Sequence, residues 1–225
     1  MSGSRQPDRI ARLLAWSPLL LVGLAVTASV LALPHLPERV PTHWGLDGRP
    51  TNAAPRGFAA FVLPGVMLHV WLLLGAIGWA TMQTPEAGVI SQRLMPGITA
   101  GTVALMLLLH LTLLANGLGW PISVPLVANL GIGALFAGIG YAARDLPHNP
   151  LIGLRTPTTL RDPRAWRHGN RVAGNWMIAA GGATMLAAPL PGAWPLIVMI
   201  GAPIVACTIG VVAARRAAQP EPQDG

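Results

Sequence analysis

The stretch NPLIGLRTPTTLRDPRAWRHGNRVAG, Asn149 to Gly174, is the one long polar segment between otherwise apolar spans. With Arg144 at its edge counted beside Arg155, Arg161, Arg164, Arg167 and Arg171, it carries six arginines. Its first half is loop chemistry. Pro147, Pro150 and Pro157 restrict the backbone and Gly153 allows dihedrals that other residues avoid, so no helix is expected to run through it. At Asp162-Pro163 the signals reverse, because Asp is a good N-cap and Pro is tolerated in a first helical turn. A helix starting there places Arg164, Arg167 and Arg171 on one stripe and repeats Trp166, Asn170 and Gly174 every four residues on another. One face is cationic and the other is shaped for packing. Because Val172 to Leu190 is apolar and carries no charge, the helix is expected to begin in the interface and continue into a bilayer, with Trp166 near head-group level.

The composition agrees. The chain has 225 residues, 52% hydrophobic and only 10% charged, with a mean hydropathy of +0.54. Ordinary soluble domains are about a quarter charged, so this is an integral membrane protein. The net charge of +7 comes from arginine alone, since there is no lysine. In a membrane protein such a balance points to cytoplasmic loops facing anionic lipid rather than to nucleic acid. The single Cys207, in an apolar span, excludes a disulfide framework and gives no sign of redox chemistry.

A crossing needs about 20 apolar residues. Stretches of that kind lie near 13–33, 59–82, 95–115, 122–143, 172–190 and 194–214. The predicted fold class is therefore all-α, a polytopic membrane protein of about six transmembrane helices. The first apolar run is longer than a signal-peptide core, so it is expected to be a retained helix. Orientation follows from arginine placement. Arg5, Arg9, Arg12, Arg93, the six of the central loop, Arg215 and Arg216 fall on one side, against Arg39, Arg49 and Arg56 on the other. Both ends and the central loop are thus expected inside. The expected organisation is a cytoplasmic N-terminus (1–12), an N-terminal transmembrane region (13–115) with an outer loop at 34–58, a second region (116–214) with a cytoplasmic loop at 144–171, and a disordered tail (215–225).

The outer loop reads PHLPERVPTHWGLDGRPTNAAPR from Pro34 to Arg56. Pro34, Pro37 and Pro41 favour extended backbone and Leu46-Asp47-Gly48 signals a turn, so a small ordered cap is expected, with His43-Trp44 at its centre. The spans themselves hold no Asp, Glu, Lys or Arg. His69, His110, Asn129 and Asn175 are the only candidates for an intramembrane polar pathway. Gly131, Gly133, Gly138 and Gly140, then Gly181 and Gly182, permit close helix approach.

Asn149, Gly153, Arg155-Thr156, Thr159, Trp166, Asn170 and Gly174, in the order N-x3-G-x-R-T-x2-T-x6-W-x3-N-x3-G between two spans, resemble the signature of the SdpI family. Leu36-Pro37, Pro41-x-His43-Trp44 and Gly48-x-Pro50 resemble the uncharacterised domain that often precedes it. The resemblance implies a multi-pass protein of the bacterial plasma membrane. It further implies immunity to a secreted antimicrobial peptide and signal transduction by holding a cytoplasmic repressor at the membrane.

Each candidate site has a plainer alternative. Arg155, Thr156 and Thr159 suit an anion cradle, but Arg155 can instead snorkel to head groups while the threonines bond nearby backbone. Residue chemistry alone favours the second, and the family signature moves weight to the first. The Arg164, Arg167, Arg171 stripe suits an acidic partner or an anchor on anionic lipid, and the anchor is favoured. His35 and His43 with Glu38 or Asp47 have no recognised metal-ligand spacing, so no metal or other cofactor is expected, and His43 and Trp44 are expected to pack the cap against the membrane face. His69 and His110 are expected to be hydrogen-bonded bundle histidines. The outer cap residues Pro41, His43, Trp44 and Gly48 would meet the peptide, and the inner loop the regulator. The alternative is a membrane enzyme or small-solute transporter acting on a lipid or phosphate-bearing substrate at the Arg155 cluster. For that chemistry only His148, His168 and Asp162 are at hand. No enzymatic role is therefore assigned.

Overall fold

In the computed structural model, residues 9–45, 47–81, 85–149 and 152–218 are described, with 9–15, 85–87, 89, 90 and 93 described in backbone only. The expectations for residues 1–8, Leu46, Pro150 and 219–225 lie outside the described residues. The chain forms two compact units, Met1–Gly131 and Ile132–Gly225. The elements are α1 (Arg9–Ala32), β1 (Arg39–Trp44), β2 (Pro50–Pro55), α2 (Arg56–Thr81), α3 (Pro85–Gly117), α4 (Val124–Ala143), α5 (Pro157–Arg161), α6 (Pro163–Ala187) and α7 (Trp194–Ala217). Five of the described helices carry stretches long and apolar enough to cross a membrane, Trp16–His35, Arg56–Thr81, Leu94–Gly117, Val124–Ala143 and Trp194–Ala217. The sixth expected span falls within α6, which is long enough but less apolar, because its three arginines, two asparagines and four glycines dilute the hydrophobic run.

In the first unit, α1, α2 and α3 pack around two apolar clusters. One holds Val22, Ala25, Met67, Val103 and Leu107. The other joins the helices to the outer hairpin through Ala32, Leu36, Val40, Ala59, Ala60, Leu113 and Leu114. The outer loop is ordered, as its prolines and turn residues predict. β1 and β2 pair antiparallel, and Pro41, which has no N–H to give, lies where the register first slips. Gly48 turns the chain at φ 74° and Asp47 accepts from the Arg49 N–H. The hairpin is seated by fully buried Val40 and by Trp44 against the second cluster. His43 does not share that role. Its side chain is exposed, because bulges on either side of it turn the strand.

Between the clusters sits a buried polar contact. The Ser29 hydroxyl lies 2.9 Å from the Ala25 carbonyl and 2.5 Å from that of Ala60, and 2.9 Å from His110 Nε2. Ser29 has one proton and the carbonyls can only accept, so His110 must carry its proton on Nε2 and donate to Ser29. One hydroxyl thus ties α1 to α2 and α3. We expect Ser29→Ala to take the hydroxyl partner from Nε2 of a fully buried His110, whose Nδ1 already lacks a partner among the described residues, at a cost of about 1–3 kcal/mol. The thermal unfolding midpoint in detergent reads this directly. Adding His110→Leu should recover part of the loss, and an unchanged midpoint in the single variant would remove the bond from the account. His69, by contrast, donates from Nδ1 to Gly65 of its own helix and lies on an exposed face rather than inside the bundle.

In the second unit, α6 packs along α7 and against Ile132–Ala143 of α4 through small residues. A Cβ added at Gly169 would lie 2.6 Å from the Ala214 Cβ, and one at Gly210 would lie 2.5 Å from the Ala173 Cβ. A Cβ at Gly140 would lie 2.6 Å from the Gly174 carbonyl oxygen. These contacts leave room for backbone and nothing more.

Candidate functional site

The polar loop is held by side chains that satisfy backbone groups, some nearby and some far away in sequence. Asn149, fully buried, donates from Nδ2 to the Pro147 and Ile152 carbonyls and accepts from the Ile152 N–H at 2.9 Å. Gly153 follows at φ 123°, a dihedral that favours glycine, and a Cβ there would also lie 2.5 Å from Asn170 Oδ1 and 3.1 Å from the Trp166 ring. The Asn170 amide then links two elements. Its Oδ1 accepts from the Leu154 N–H at 2.7 Å, and its Nδ2 donates to the Trp166 carbonyl one turn back.

Beyond Arg155 the backbone is pinned again. Thr156 caps α5 and forms a reciprocal capping box with Thr159, while the Thr159 hydroxyl, fully buried, donates to the Leu154 carbonyl at 2.6 Å. A short helix at Pro157–Arg161 therefore stands where the prolines predict loop, because Pro157 occupies the first helical position, where its missing N–H has no partner to lose. Asp162 both ends α5 and caps α6, accepting from the Arg164 N–H at 2.7 Å. The predicted helix start is thus the observed one.

The two predicted stripes of α6 separate cleanly. Trp166, Asn170 and Gly174 are buried, and Arg164, Arg167 and Arg171 are exposed. Trp166 faces the protein interior. It is completely buried, donates from Nε1 to the Leu146 carbonyl at 3.0 Å and meets the His148 ring edge-on at 5.0 Å. His148 in turn contacts the Leu160 carbonyl, to which its Nε2 donates at 3.2 Å. The signature residues therefore converge into one clamp over the N-terminal end of α6, while Gly174 lets α4 approach, its absent Cβ lying where the Arg144 Cβ is only 2.5 Å away.

Of the three proposed cradle members, both threonines are engaged in capping. Arg155 is exposed and makes no hydrogen bond or ion pair among the described residues. The outer residues Pro41, His43, Trp44 and Gly48 belong to the hairpin of the first unit. No group of three or more His, Cys, Asp or Glu comes together among the described residues. Three further contacts carried no signal in the sequence. Asp145 receives Arg171 at 2.8 Å and Arg144 at 3.2 Å, and the Arg144 guanidinium stacks 4.4 Å over the Tyr141 ring.

A helical bundle, a polar loop clamped onto one helix, and an ordered hairpin between spans define a multi-pass membrane protein. Residues 145–214 match the SdpI/YfhL protein family and residues 20–68 match a domain of unknown function, DUF1648. These two matches make the chain similar to membrane proteins of the SdpI family. It is 27% identical over 195 residues to the Immunity protein SdpI of Bacillus subtilis (strain 168), covering 87% of this chain and 91% of that protein. No solved structure matches it at a significant level.

Proposed function

We propose that this chain is a membrane immunity protein that protects against a secreted antimicrobial peptide, and that its inner loop recruits an acidic surface of a cytoplasmic repressor through Arg155. The carrying observation is the setting of Arg155. Leu154 before it and Thr156 after it are held by buried Asn170 and Thr159, so an exposed guanidinium, unpaired among the described residues, projects from a fixed backbone. A fixed frame lowers the ordering cost of binding, and the planar fork suits a carboxylate or phosphate. The relative's name supports the immunity half. The outer hairpin, with His43 exposed at its bulge, is the corresponding surface for the peptide. Signalling between the two requires that the peptide and the repressor prefer the same arrangement of the protein.

The test is survival of a sensitive bacterium under a panel of secreted antimicrobial peptides, with membrane levels matched by blot. Arg155→Ala should leave the clamp folded and reduce protection or repressor recruitment about tenfold or more, the size of one charge-assisted contact. Wild-type behaviour of that variant would take Arg155 out of the site. Failure of the wild-type protein to protect against any peptide would overturn the immunity role itself.

A further inference from the structure

We infer that the corner formed by the end of α4 and the start of α6 is a binding site for one anionic phospholipid. Its head group would lie against Arg144, Arg171 and Asn175, and its chains would run along α6. Two guanidiniums share the single carboxylate of Asp145, which leaves one positive charge in excess. The excess is accessible: the Arg171 side chain is 68% exposed while it holds Asp145. Near it, the carbonyls at the C-terminal end of α4 carry partial negative charge, which the two arginines offset.

Asn175 decides what kind of anion fits. It lies one turn beyond Arg171 on the same face of α6, is exposed, and makes no hydrogen bond among the described residues. A free amide directed at hydrocarbon is costly, and the ester carbonyl of a bound lipid is the acceptor found at that depth. Beyond Asn175 the same face turns apolar and open. Ala179 is exposed, a Cβ at Gly182 would meet nothing within 4 Å, and Leu186 is 80% exposed. The order along the helix is thus guanidinium, amide, then an exposed apolar strip, which is the order of phosphate, ester and acyl chain in a phospholipid. Tyr141 and Trp176, 64% and 48% exposed, flank the polar part in the manner of interfacial aromatics. Arg171 and Asn175, two of the polar residues that keep α6 below the apolarity of the other spans, are on this account its lipid ligands.

The experiment is native mass spectrometry of the full-length protein in mild detergent. Phosphatidylglycerol and phosphatidylcholine of identical chains are added separately. The wild type should retain phosphatidylglycerol about fivefold better, the preference expected from one arginine near an anionic head group. Arg171→Gln should abolish that preference. Asn175→Leu, which removes no packing or ion pair, should reduce it at least about twofold without lowering the thermal midpoint. Arg215→Gln with Arg216→Gln, which lowers net charge elsewhere, should leave it intact. Equal retention of the two lipids, or a preference that survives both Arg171→Gln and Asn175→Leu, would overturn the site. So would full displacement of phosphatidylglycerol by millimolar inorganic phosphate, which would mark a site for free anions. None of these readouts depends on peptide immunity, so the lipid site and the immunity role stand or fall separately.

Discussion

Trp166→Ala is expected to cost about 3–5 kcal/mol and to release the polar loop, because a completely buried indole is removed from the point where the loop is clamped. Three losses coincide. The Leu146 carbonyl loses the Nε1 donor, the His148 ring loses its edge contact, and Gly153 loses the wall it packs against. The thermal midpoint of the detergent-solubilised protein, followed by gel filtration of a fluorescent fusion, should fall by on the order of 10 °C. A second readout locates the damage. Arg155 and Arg161 are exposed but lie on a backbone held by Asn170 and Thr159, so trypsin should cut after them faster in the variant than in the wild type. Trp166→Phe separates packing from hydrogen bonding. It keeps most of the ring and loses the donor, and should cost only about 1 kcal/mol. If Trp166→Ala lowered the midpoint while tryptic cleavage stayed at the wild-type rate, the indole would be stabilising the helix pair and not the loop.

The same clamp shows which parts of the fold were legible in the sequence. Helix starts are local chemistry, so Asp162-Pro163 announced α6, and the spacing of Trp166, Asn170 and Gly174 against the arginines announced its two faces. The outer hairpin was legible for the same reason, since proline and turn residues act on their immediate neighbours. What sequence could not supply is pairing at a distance. Asn170 bonds Leu154 across 16 residues and Trp166 bonds Leu146 across 20, and no periodicity connects those positions. Pro157 misled for a related reason: a proline reads as a breaker unless the cap before it is recognised, and Thr156 with Thr159 is a weaker capping signature than one with Glu or Gln at the third position. The signature was recognisable as polar and aromatic. Only the structure separates its members that serve the backbone, Asn149, Thr156, Thr159, Trp166 and Asn170, from Arg155, whose side chain serves nothing within the described chain.

Gly181→Ala and Gly182→Ala, one residue apart, are expected to change stability in opposite directions. A methyl group at Gly181 would run into the Gly133 carbonyl and lie 2.7 Å from the Ala137 amide nitrogen, both backbone atoms that no rotamer change can move. The two helices would have to separate, at a cost of about 1–3 kcal/mol, and the loss would spread along their contact. Helix association inside a bilayer has no hydrophobic driving force to fall back on and rests on van der Waals contact, which a forced gap removes first. At Gly182 the added methyl meets nothing within 4 Å, so only the helix-forming advantage of Ala remains, a gain of up to about 1 kcal/mol. The comparison holds composition, hydropathy and depth nearly constant, which leaves the facing helix as the difference. Gly140 and Gly174 form the equivalent pair two turns away, as Gly133 and Gly181 are each seven residues from them, so Gly174→Ala should follow Gly181→Ala in sign. Thermal midpoints of the three single variants, measured in one detergent, settle the matter. A neutral Gly181→Ala would mean that α4 and α6 do not make the close backbone contact on which this half of the molecule is built.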